Sequence, residues 1–311
     1  MTSALPPFPC SQQAGAIISG MVQPGKITIV PTPIGNLGDI TLRAVDALRA
    51  SDAVLCEDTR VTGKLLAHLG VKKPLVRLDE NTIRQRTDAI LSRLHAGEAL
   101  AYCSDAGMPG VSDPGMHLVA AARQAGILVE VLPGASAATT AYVASGFEST
   151  SFFFGGFLPK KGAERLRLLE SLCPLDAALI FYESPHRLPE ALNAVAQAFP
   201  HRRAAVCREL TKLHEEVASA PAPELARTFA ERAAVAPIKG EVALVVEGPT
   251  PEERAAVQEG AAQDARVCAV QLIADGMRPK EAAKELAARF GIPRNAAYEL
   301  ALSARNGHPG P

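Results

Sequence analysis

The feature that most constrains this chain is a repeated alternation between short apolar runs and stretches with helical spacing. The runs are rich in β-branched residues and are KITIV, AVLCE, ALAYCS, ILVEVL, SFFFGGF, AALIFYE, AAVCREL and GEVALVVEG. Strands that alternate with helices typically join a parallel sheet, because a parallel connection needs a crossover. The sequence therefore predicts an α/β fold with a largely parallel sheet.

The chain should hold more than one domain, since 311 residues exceed the usual size of a single domain. In the second half, helical spacing covers 162–172, 186–199 and 223–236. The predicted parts are a disordered tail over 1–25, α/β domains over 26–147 and 148–248, a linker over 249–264 and a helical module over 265–311. The tail carries no charge and so lacks the basic segment of a signal peptide.

Charge and cysteine usage narrow the class of protein. With 32 Lys+Arg against 33 Asp+Glu, no global field draws the chain to nucleic acid or membrane, so a polyanion must be met by local patches. The six cysteines are scattered without metal-ligand spacing, which favours reduced thiols in a cytoplasmic protein. No apolar run reaches the roughly 18 residues that span a bilayer. We therefore expect neither a metal nor a membrane partner.

Proline and glycine punctuate three helices in the C-terminal module. Pro279 and Pro293 suit first turns, whereas Gly276 and Gly291 suit helix ends. The module resembles a helix-turn-helix, with seven Lys/Arg and four Asp/Glu from residue 265 onward and hence a net charge of +3. Two interpretations stay open, a nucleic-acid contact and a module that only packs.

Three loops rich in Gly, Pro and Asp follow predicted strands. They are VPTPIGNLGDIT (Val30–Thr41), SDAGMPGVSDPG (Ser104–Gly115) and LPGASAATTAYVASGF (Leu132–Phe147). A single loop of this kind would indicate only a tight turn. Three such loops at one edge of a sheet indicate a crevice that binds a ligand. None contains a P-loop or G-x-G-x-x-G pattern, and Pro31 and Pro33 remove donors that a phosphate needs. The loops suit a ligand that is not strongly anionic, such as S-adenosylmethionine.

Seven motifs in order give a more specific indication. They are VPTPIGNLGDITLRA, EDTR, SDAGMPGVSDPG, LPGASA, ESPHR, RELTKLHEE and KGEVALVVEG. Together they resemble the ribosomal RNA small subunit methyltransferase I family, a branch of the tetrapyrrole methylase superfamily, over roughly Lys26 to Gly248. The C-terminal helices also resemble that family's appended domain.

This resemblance implies a fold and an activity. The fold would be two α/β domains of tetrapyrrole methylase type, with S-adenosylmethionine in the cleft between them. The activity would be 2′-O-methylation of a cytidine ribose in the decoding region of 16S rRNA, by a homodimer that needs no metal. Two alternatives are a tetrapyrrole (precorrin or uroporphyrinogen) methyltransferase and a non-catalytic helix-turn-helix regulator that senses a metabolite.

The resemblance also implies cofactor-binding residues. In the first domain they are Pro33, Asp105, Ala106, Gly107, Met108, Ser136 and Ala137. In the second domain they are Phe181, Tyr182, Glu209, Leu210, Lys239 and Gly240. Phe181 and Tyr182 are expected to cover the adenine ring, and small loop residues let the main chain approach the ligand. Ser112 and Asp113 suit caps on the following helix instead.

A base would help the transfer, because a ribose hydroxyl is a poor nucleophile until its proton begins to leave. The candidates are Glu57 and Asp58 in EDTR and Glu183 in ESPHR, or Lys212 or Lys239 if burial makes either neutral. Alternatively, Arg60 and Arg187 pair with these carboxylates in purely structural ion pairs.

RNA contact requires local positive charge and groups that reach unpaired nucleotides. Between Val71 and His95 there are six Lys/Arg against three Asp/Glu. The candidate RNA-binding residues are Arg60, Arg84, Arg86, Lys160, Lys161, His186 and Arg187. Residues 36–39 are expected to face the RNA. Each patch is equally compatible with a solvated face.

Overall fold

The structure is a computed structural model that describes residues 25–307, so nearly all of the predicted tail lies outside the described residues. The described chain forms two compact units. One runs to Pro33 and resumes over Leu37–Ala135, and the other joins Ile34–Asn36 to the chain from Ser136 onward. Each unit has its own sheet.

The first unit is a parallel α/β sheet, as predicted. Its strands are β1 (Lys26–Ile29), β2 (Ala53–Cys56), β3 (Leu75–Arg77), β4 (Leu100–Cys103) and β5 (Leu128–Val131), in the order β3-β2-β4-β1-β5. Its helices are α1 (Leu42–Ala50), α2 (Thr59–His68), α3 (Ile83–His95) and α4 (Gly115–Gln124). Strands β4, β1 and β5 are neighbours, so the three Gly/Pro/Asp loops start at one edge. Strand β3 was not predicted, because it has only three residues and none is fully buried.

The second unit has a mixed sheet. Its strands are β6 (Phe152–Phe157), β7 (Ala178–Glu183), β8 (Arg203–Arg208), β9 (Glu216–Pro221) and β10 (Val242–Val246), in the order β6-β7-β10-β8-β9. Only β6 and β7 pair in parallel, and the other three pairings are antiparallel. The largely parallel sheet that we predicted is therefore wrong for this unit. Strand β9 was not predicted, because most of its residues are small and every second one is exposed.

Helix α5 (Ala137–Ser145) belongs to the second unit, where it packs on β7, β8 and β10. The division between the units falls after Ala135, not after Phe147 as predicted. The helix is apolar on nearly every side, so its sequence does not tell which sheet it covers. Helices α6 (Gly162–Ser171), α7 (Leu188–Ala198) and α8 (Ala222–Val235) match the three predicted stretches within two residues.

Three helices complete the chain, namely α9 (Pro251–Ala274), α10 (Pro279–Phe290) and α11 (Arg294–Arg305). The predicted linker over 249–264 is wrong, because α9 already begins at Pro251 behind a capping box of Thr250 and Glu253. Its Glu- and Ala-rich composition favours a helix as much as a linker. Within residues 25–307, no helix is both long and apolar enough to cross a membrane.

Candidate functional site

The EDTR and SDAGMPG loops meet at the edge of the first sheet. Strands β2 and β4 are parallel neighbours, so their carboxyl ends lie side by side. The Asp105 N–H donates to Glu57 Oε1 at 3.3 Å, and the Asp58 N–H donates to Asp105 Oδ1 at 3.1 Å. These two reciprocal hydrogen bonds hold the loops together and place three predicted site residues in one cluster.

Glu57 has a pKa shifted toward neutral pH. It is half-buried, and burial, followed by the nearby charge of Asp113, raises its pKa to about 7. Burial also raises the pKa of Asp105. A general base works best when its pKa lies near the working pH, and Glu57 meets that condition.

Asp58 is engaged differently. Its carboxylate caps α2 by accepting the Arg60 N–H at 2.8 Å, and Arg60 Nη2 approaches it at 2.6 Å. Hydrogen bonds from Arg60 hold the pKa of Asp58 well below its usual range. The structural ion pair considered for Arg60 is thus present, and a fully ionised, paired Asp58 is a weak base. The Arg60 side chain is 86% exposed and can still meet a partner.

The SDAGMPG loop is held against the first loop by its backbone. Thr32 and Gly107 exchange two N–H···O bonds of 2.9 and 3.0 Å, and Gly107 adopts a left-handed φ of 81°. Asp105 and Ala106 are exposed beside this bridge. Farther along, the Asp113 carboxylate accepts the N–H groups of Gly110 and Gly115, the latter at the start of α4. Asp113 thus accepts the first N–H of α4, although the residue that precedes the helix is Pro114, which makes no side-chain cap.

The backbone of the third loop packs directly on the Pro31 side chain of the first. A Cβ added to Gly134 would lie 2.6 Å from the Pro31 Cβ, so only glycine fits there. Met108 and Pro33 are half-buried along these loops. The edge of the first sheet therefore offers backbone groups, small residues and the exposed Asp105 carboxylate.

In the second unit, Ser136, Ala137 and Tyr182 lie at the start of α5. Ser136 is the residue that precedes the helix, and the Ala138 N–H donates to the Tyr182 hydroxyl at 3.1 Å. The Tyr182 ring, half-buried, packs edge-on against Phe154 and Phe157. The helix start and the aromatic cluster thus form one face.

Phe181 does not fit its predicted role. It is 0% exposed inside the core, with its ring against Gly155. Neighbouring residues of a strand point to opposite faces, so Phe181 and Tyr182 cannot both cover one adenine ring. The prediction of adenine contact is wrong for Phe181.

Lys212 sits at the centre of an ion-pair cluster. Its Nζ lies 2.9 Å from both Glu209 Oε1 and Glu241 Oε2. Burial opposes its charge, but the two carboxylates prevail and raise the pKa of Lys212. The proposal of Lys212 as a neutral base is therefore wrong. A Cβ on Gly35 would lie 2.5 Å from the Lys212 Cγ, so the IGN segment packs directly on this side chain.

The backbone around Lys212 is strained. Glu209 has a φ of 52° and Thr211 a φ of 65°, a conformation that β-branched residues rarely adopt. Gly240 has a φ of 97°, and a Cβ there would meet the Glu209 side chain at 2.5 Å. Strain of this kind tends to occur at functional sites. Leu210 is buried in this loop, whereas exposed Lys239 lines a cleft at the end of α8.

Glu183 ends β7 as a fully buried carboxylate. Its Oε1 lies 2.5 Å from Arg187 Nη2 and accepts the Ser184 N–H at 2.6 Å. Its Oε2 has no hydrogen-bond partner among the described residues. The structural ion pair considered for Arg187 is present here too.

Most of the RNA-binding candidates are exposed. Arg84 and Arg86 lie in the first turn of α3, where Arg86 Nη1 donates to the Arg77 carbonyl. Lys160, Lys161 and His186 lie in the loops that follow β6 and β7. Since these strands are parallel neighbours, the two loops share the carboxyl edge of the second sheet.

Sequence analysis missed Arg165, which is only 5% exposed on α6. Leu168, Leu169 and Leu172 follow it at spacings of three, four and seven. A cation within such an apolar stripe was the available signal.

The fold and these loops define a methylase of the tetrapyrrole type. Residues 26–226 match the family described as Tetrapyrrole (Corrin/Porphyrin) Methylases, and residues 261–305 match the RsmI C-terminal HTH domain. A solved uroporphyrin-III-C-methyltransferase from Thermus thermophilus is 25% identical, with a TM-score of 0.52 over 72% of this chain and 94% of its own. A uroporphyrin-III C-methyl transferase from the same organism, complexed with S-adenyl homocysteine, is 17% identical, with a TM-score of 0.52 over 72% of this chain and 97% of its own.

The relatives of known name identify the family within this class of methylases. Ribosomal RNA small subunit methyltransferase I from Synechocystis sp. is 40% identical over 279 residues, which cover 89% of this chain and 98% of the relative. The chain belongs to the ribosomal RNA small subunit methyltransferase I family. The resemblance seen in the seven motifs is thereby confirmed.

Proposed function

We propose that this chain is an S-adenosylmethionine-dependent methyltransferase that modifies the ribose 2′-hydroxyl of a cytidine in the decoding region of 16S rRNA. One observation carries the choice of RNA over a tetrapyrrole. The ribosomal RNA relative matches across nearly its whole length, and the helical module has its own family match. The uroporphyrin enzymes align with only 72% of this chain.

The residues of each unit suit S-adenosylmethionine. Its adenosine and sulfonium need acceptors and uncharged walls rather than a phosphate cradle. The Asp105 carboxylate and the backbone around Gly107 supply acceptors in the first unit, and Gly134 lets the third loop pack closely on Pro31. The Tyr182 ring and the start of α5 supply an apolar wall in the second unit.

S-adenosylmethionine supplies a methyl group already activated by its sulfonium. In the transfer, the ribose oxygen forms a bond to the methyl carbon as the carbon–sulfur bond breaks, and the hydroxyl proton leaves. Alignment alone contributes up to about 7 to 11 kcal/mol in ideal intramolecular cases. We assign Glu57 as the base that accepts this hydroxyl proton, because its pKa of about 7 suits a base at neutral pH. Glu183, buried and paired with Arg187, holds the start of α7 instead.

The test is methyl transfer from tritiated S-adenosylmethionine. The substrates are 30S subunits lacking the modification, naked 16S rRNA and a precorrin. We expect label on the ribosomal substrate, in a cytidine ribose. Label on the precorrin alone would support the tetrapyrrole alternative, and tight binding of duplex DNA without any transfer would support the regulator. Either result would overturn the proposal.

We further infer a cytoplasmic homodimer acting on the small ribosomal subunit. The support is the family resemblance, which implies a homodimer and a cytidine in the decoding region of the small subunit. Sedimentation equilibrium should give twice the chain mass, and a monomer mass at assay concentration would exclude the dimer.

A further inference from the structure

Arg165 is a buried cation whose hydrogen bonds are largely unmet. Its Nη2 lies 3.4 Å from Glu190 Oε2, on a glutamate whose side chain is 71% exposed. Its Nε and Nη1 are buried without a hydrogen-bond partner among the described residues. Leaving a charged donor buried and unsatisfied is costly, so these nitrogens are available to an acceptor that arrives from outside.

The position of Arg165 points to the acceptor. Residue 162 begins α6, and the nearest atom to a Cβ built on Gly162 is Arg165 Nη2, at 4.0 Å. Gly162 is exposed, so Nη2, which also faces Glu190, lies beside a surface residue that has no side chain. Lys160 and Lys161 immediately precede it and are exposed.

A second group of cations lies at the same sheet edge. His186 and Arg187 follow β7 as Lys160 and Lys161 follow β6, and the two strands are parallel neighbours. Arg187 Nη1 is likewise buried without a partner among the described residues. Helices α6 and α7 both begin here, which adds the partial positive charge of two helix N-termini. Three of these cations already face carboxylates, Lys161 with Glu164, Arg165 with Glu190 and Arg187 with Glu183. The unpaired buried donors, more than an excess of charge, therefore suit an anion.

We propose that Arg165 binds a phosphodiester group of the RNA strand, with Lys160 and Lys161 making the outer contacts. The inference rests on the proposed RNA substrate and adds a residue to its binding surface. The unpaired Nε and Nη1 groups can each donate to a phosphate oxygen, and a guanidinium keeps its charge when buried, whereas a lysine offers one compact ammonium. Arg165 would thus anchor the strand, while exposed lysines supply attraction at longer range.

The experiment compares Arg165→Met with Arg167→Met. Arg167 lies on the same helix, is exposed, and donates to the Ala163 carbonyl of its own helix, so it is a matched control. Binding of a fluorescein-labelled oligocytidylate is measured at several salt concentrations, together with S-adenosylmethionine affinity, melting temperature and methyl transfer to 30S subunits.

We expect Arg165→Met to weaken binding of the oligocytidylate at least about tenfold, because hydrogen bonds to charged groups are worth more than a factor of ten. The slope of log K against log salt should fall by about 0.7, the value for one phosphate contact on a single strand. Cofactor affinity should not change, and the melting temperature should hold or rise, since methionine fills the site without a buried charge. Arg165→Lys should restore the salt slope but only part of the affinity.

Several results would overturn the assignment. If Arg165→Met matches Arg167→Met in affinity and slope while the wild type methylates 30S subunits, water or packing satisfies the guanidinium and only the inference fails. Loss of cofactor affinity instead of RNA affinity would assign the guanidinium to the cofactor carboxylate. A wild type that binds the oligocytidylate through Arg165 but methylates nothing would remove the proposed function alone.

A second variant guards against misfolding of Arg165→Met. Gly162→Leu keeps Arg165 but places a side chain over its guanidinium, so it should also weaken RNA binding with the fold intact. Unchanged RNA affinity in Gly162→Leu would contradict an approach from that side and overturn the proposal.

Discussion

Arg202 Nε donates to Glu253 Oε2 at 2.7 Å and so fastens the start of α9 to the second sheet. The Arg202 side chain is 1% exposed, donates through Nη2 to the Cys173 carbonyl, and stacks over Phe199. The same Glu253 carboxylate accepts the Thr250 N–H that closes the capping box. One carboxylate therefore caps the helix and neutralises a buried cation, and α9 continues the second unit without a flexible joint.

Glu253→Gln should lower the free energy of unfolding by about 3 to 5 kcal/mol, because it leaves the Arg202 cation buried without a charged partner. Chemical denaturation of the full chain gives the measurement. Glu252→Gln changes the exposed neighbour and should have little effect. Equal unfolding midpoints for the two variants would show that the ion pair adds no stability.

Glu57→Gln should alter the dependence of stability on pH. The folded state raises the pKa of Glu57 from 4.5 to about 7, so between these values it binds more protons than the unfolded state. Ionisation of Glu57 therefore lowers the free energy of unfolding as pH rises from about 4.5 to 7, and its contribution is constant above that range. Glutamine does not titrate, so the variant should melt at a higher temperature than the wild type at pH 8, with a smaller difference at pH 5. An equal difference at both values would contradict the raised pKa.

The same variant tests the assignment of the base. If Glu57 accepts the hydroxyl proton, Glu57→Gln should lower kcat by roughly 100-fold or more. Cofactor affinity should stay close to that of the wild type. An unchanged kcat would move the role of base to another group.

Gly107→Val should abolish S-adenosylmethionine binding while the protein stays folded. Gly107 has a left-handed φ of 81° and exchanges two hydrogen bonds with Thr32, so a branched side chain would distort the loop that faces the ligand. Gly126→Ala is the control, because Gly126 also has a positive φ but no atom within 4 Å of an added Cβ. Calorimetric titration measures the affinity of each variant for S-adenosylmethionine. Unchanged affinity in Gly107→Val would exclude this loop from the cofactor site.

Replacing both Arg84 and Arg86 by Glu should weaken RNA binding and spare cofactor affinity. Both side chains are exposed at the start of α3, so the change acts on the surface and should not unfold the helix. Filter binding of 16S rRNA at two salt concentrations checks it. If RNA affinity holds, this patch is only a solvated face.

The sequence predicts the first unit well, because long-range order there follows a simple rule. Each strand except the short, half-exposed β3 is an apolar run followed by a helix, and parallel strands bring the following loops to one edge. The clustering of Glu57, Asp58 and Asp105 was predictable from that rule alone. What the sequence could not reveal is that burial raises the pKa values of Glu57 and Asp105 while hydrogen bonds from Arg60 lower the pKa of Asp58.

The second unit was harder to predict from the sequence, because its packing depends on tertiary contacts. Helix α5 is apolar all round, so its partner sheet depends on tertiary packing rather than on its own pattern. Phe181 and Tyr182 are adjacent aromatics, and only the register of β7 decides which one enters the core. The charge of Lys212 depends on two carboxylates, one of which, Glu241, is distant in sequence.

Strand β10 has a consequence for how the chain is made. It pairs with β7 on one side and with β8 on the other, yet it is the last strand in the sequence. A chain that stops before Val242 would hold β6-β7 and β8-β9 as separate ribbons, each with an unpaired edge of the kind that promotes aggregation. Premature termination should therefore yield products that are insoluble rather than partly active, and completion of this sheet distinguishes full-length chains from shortened ones.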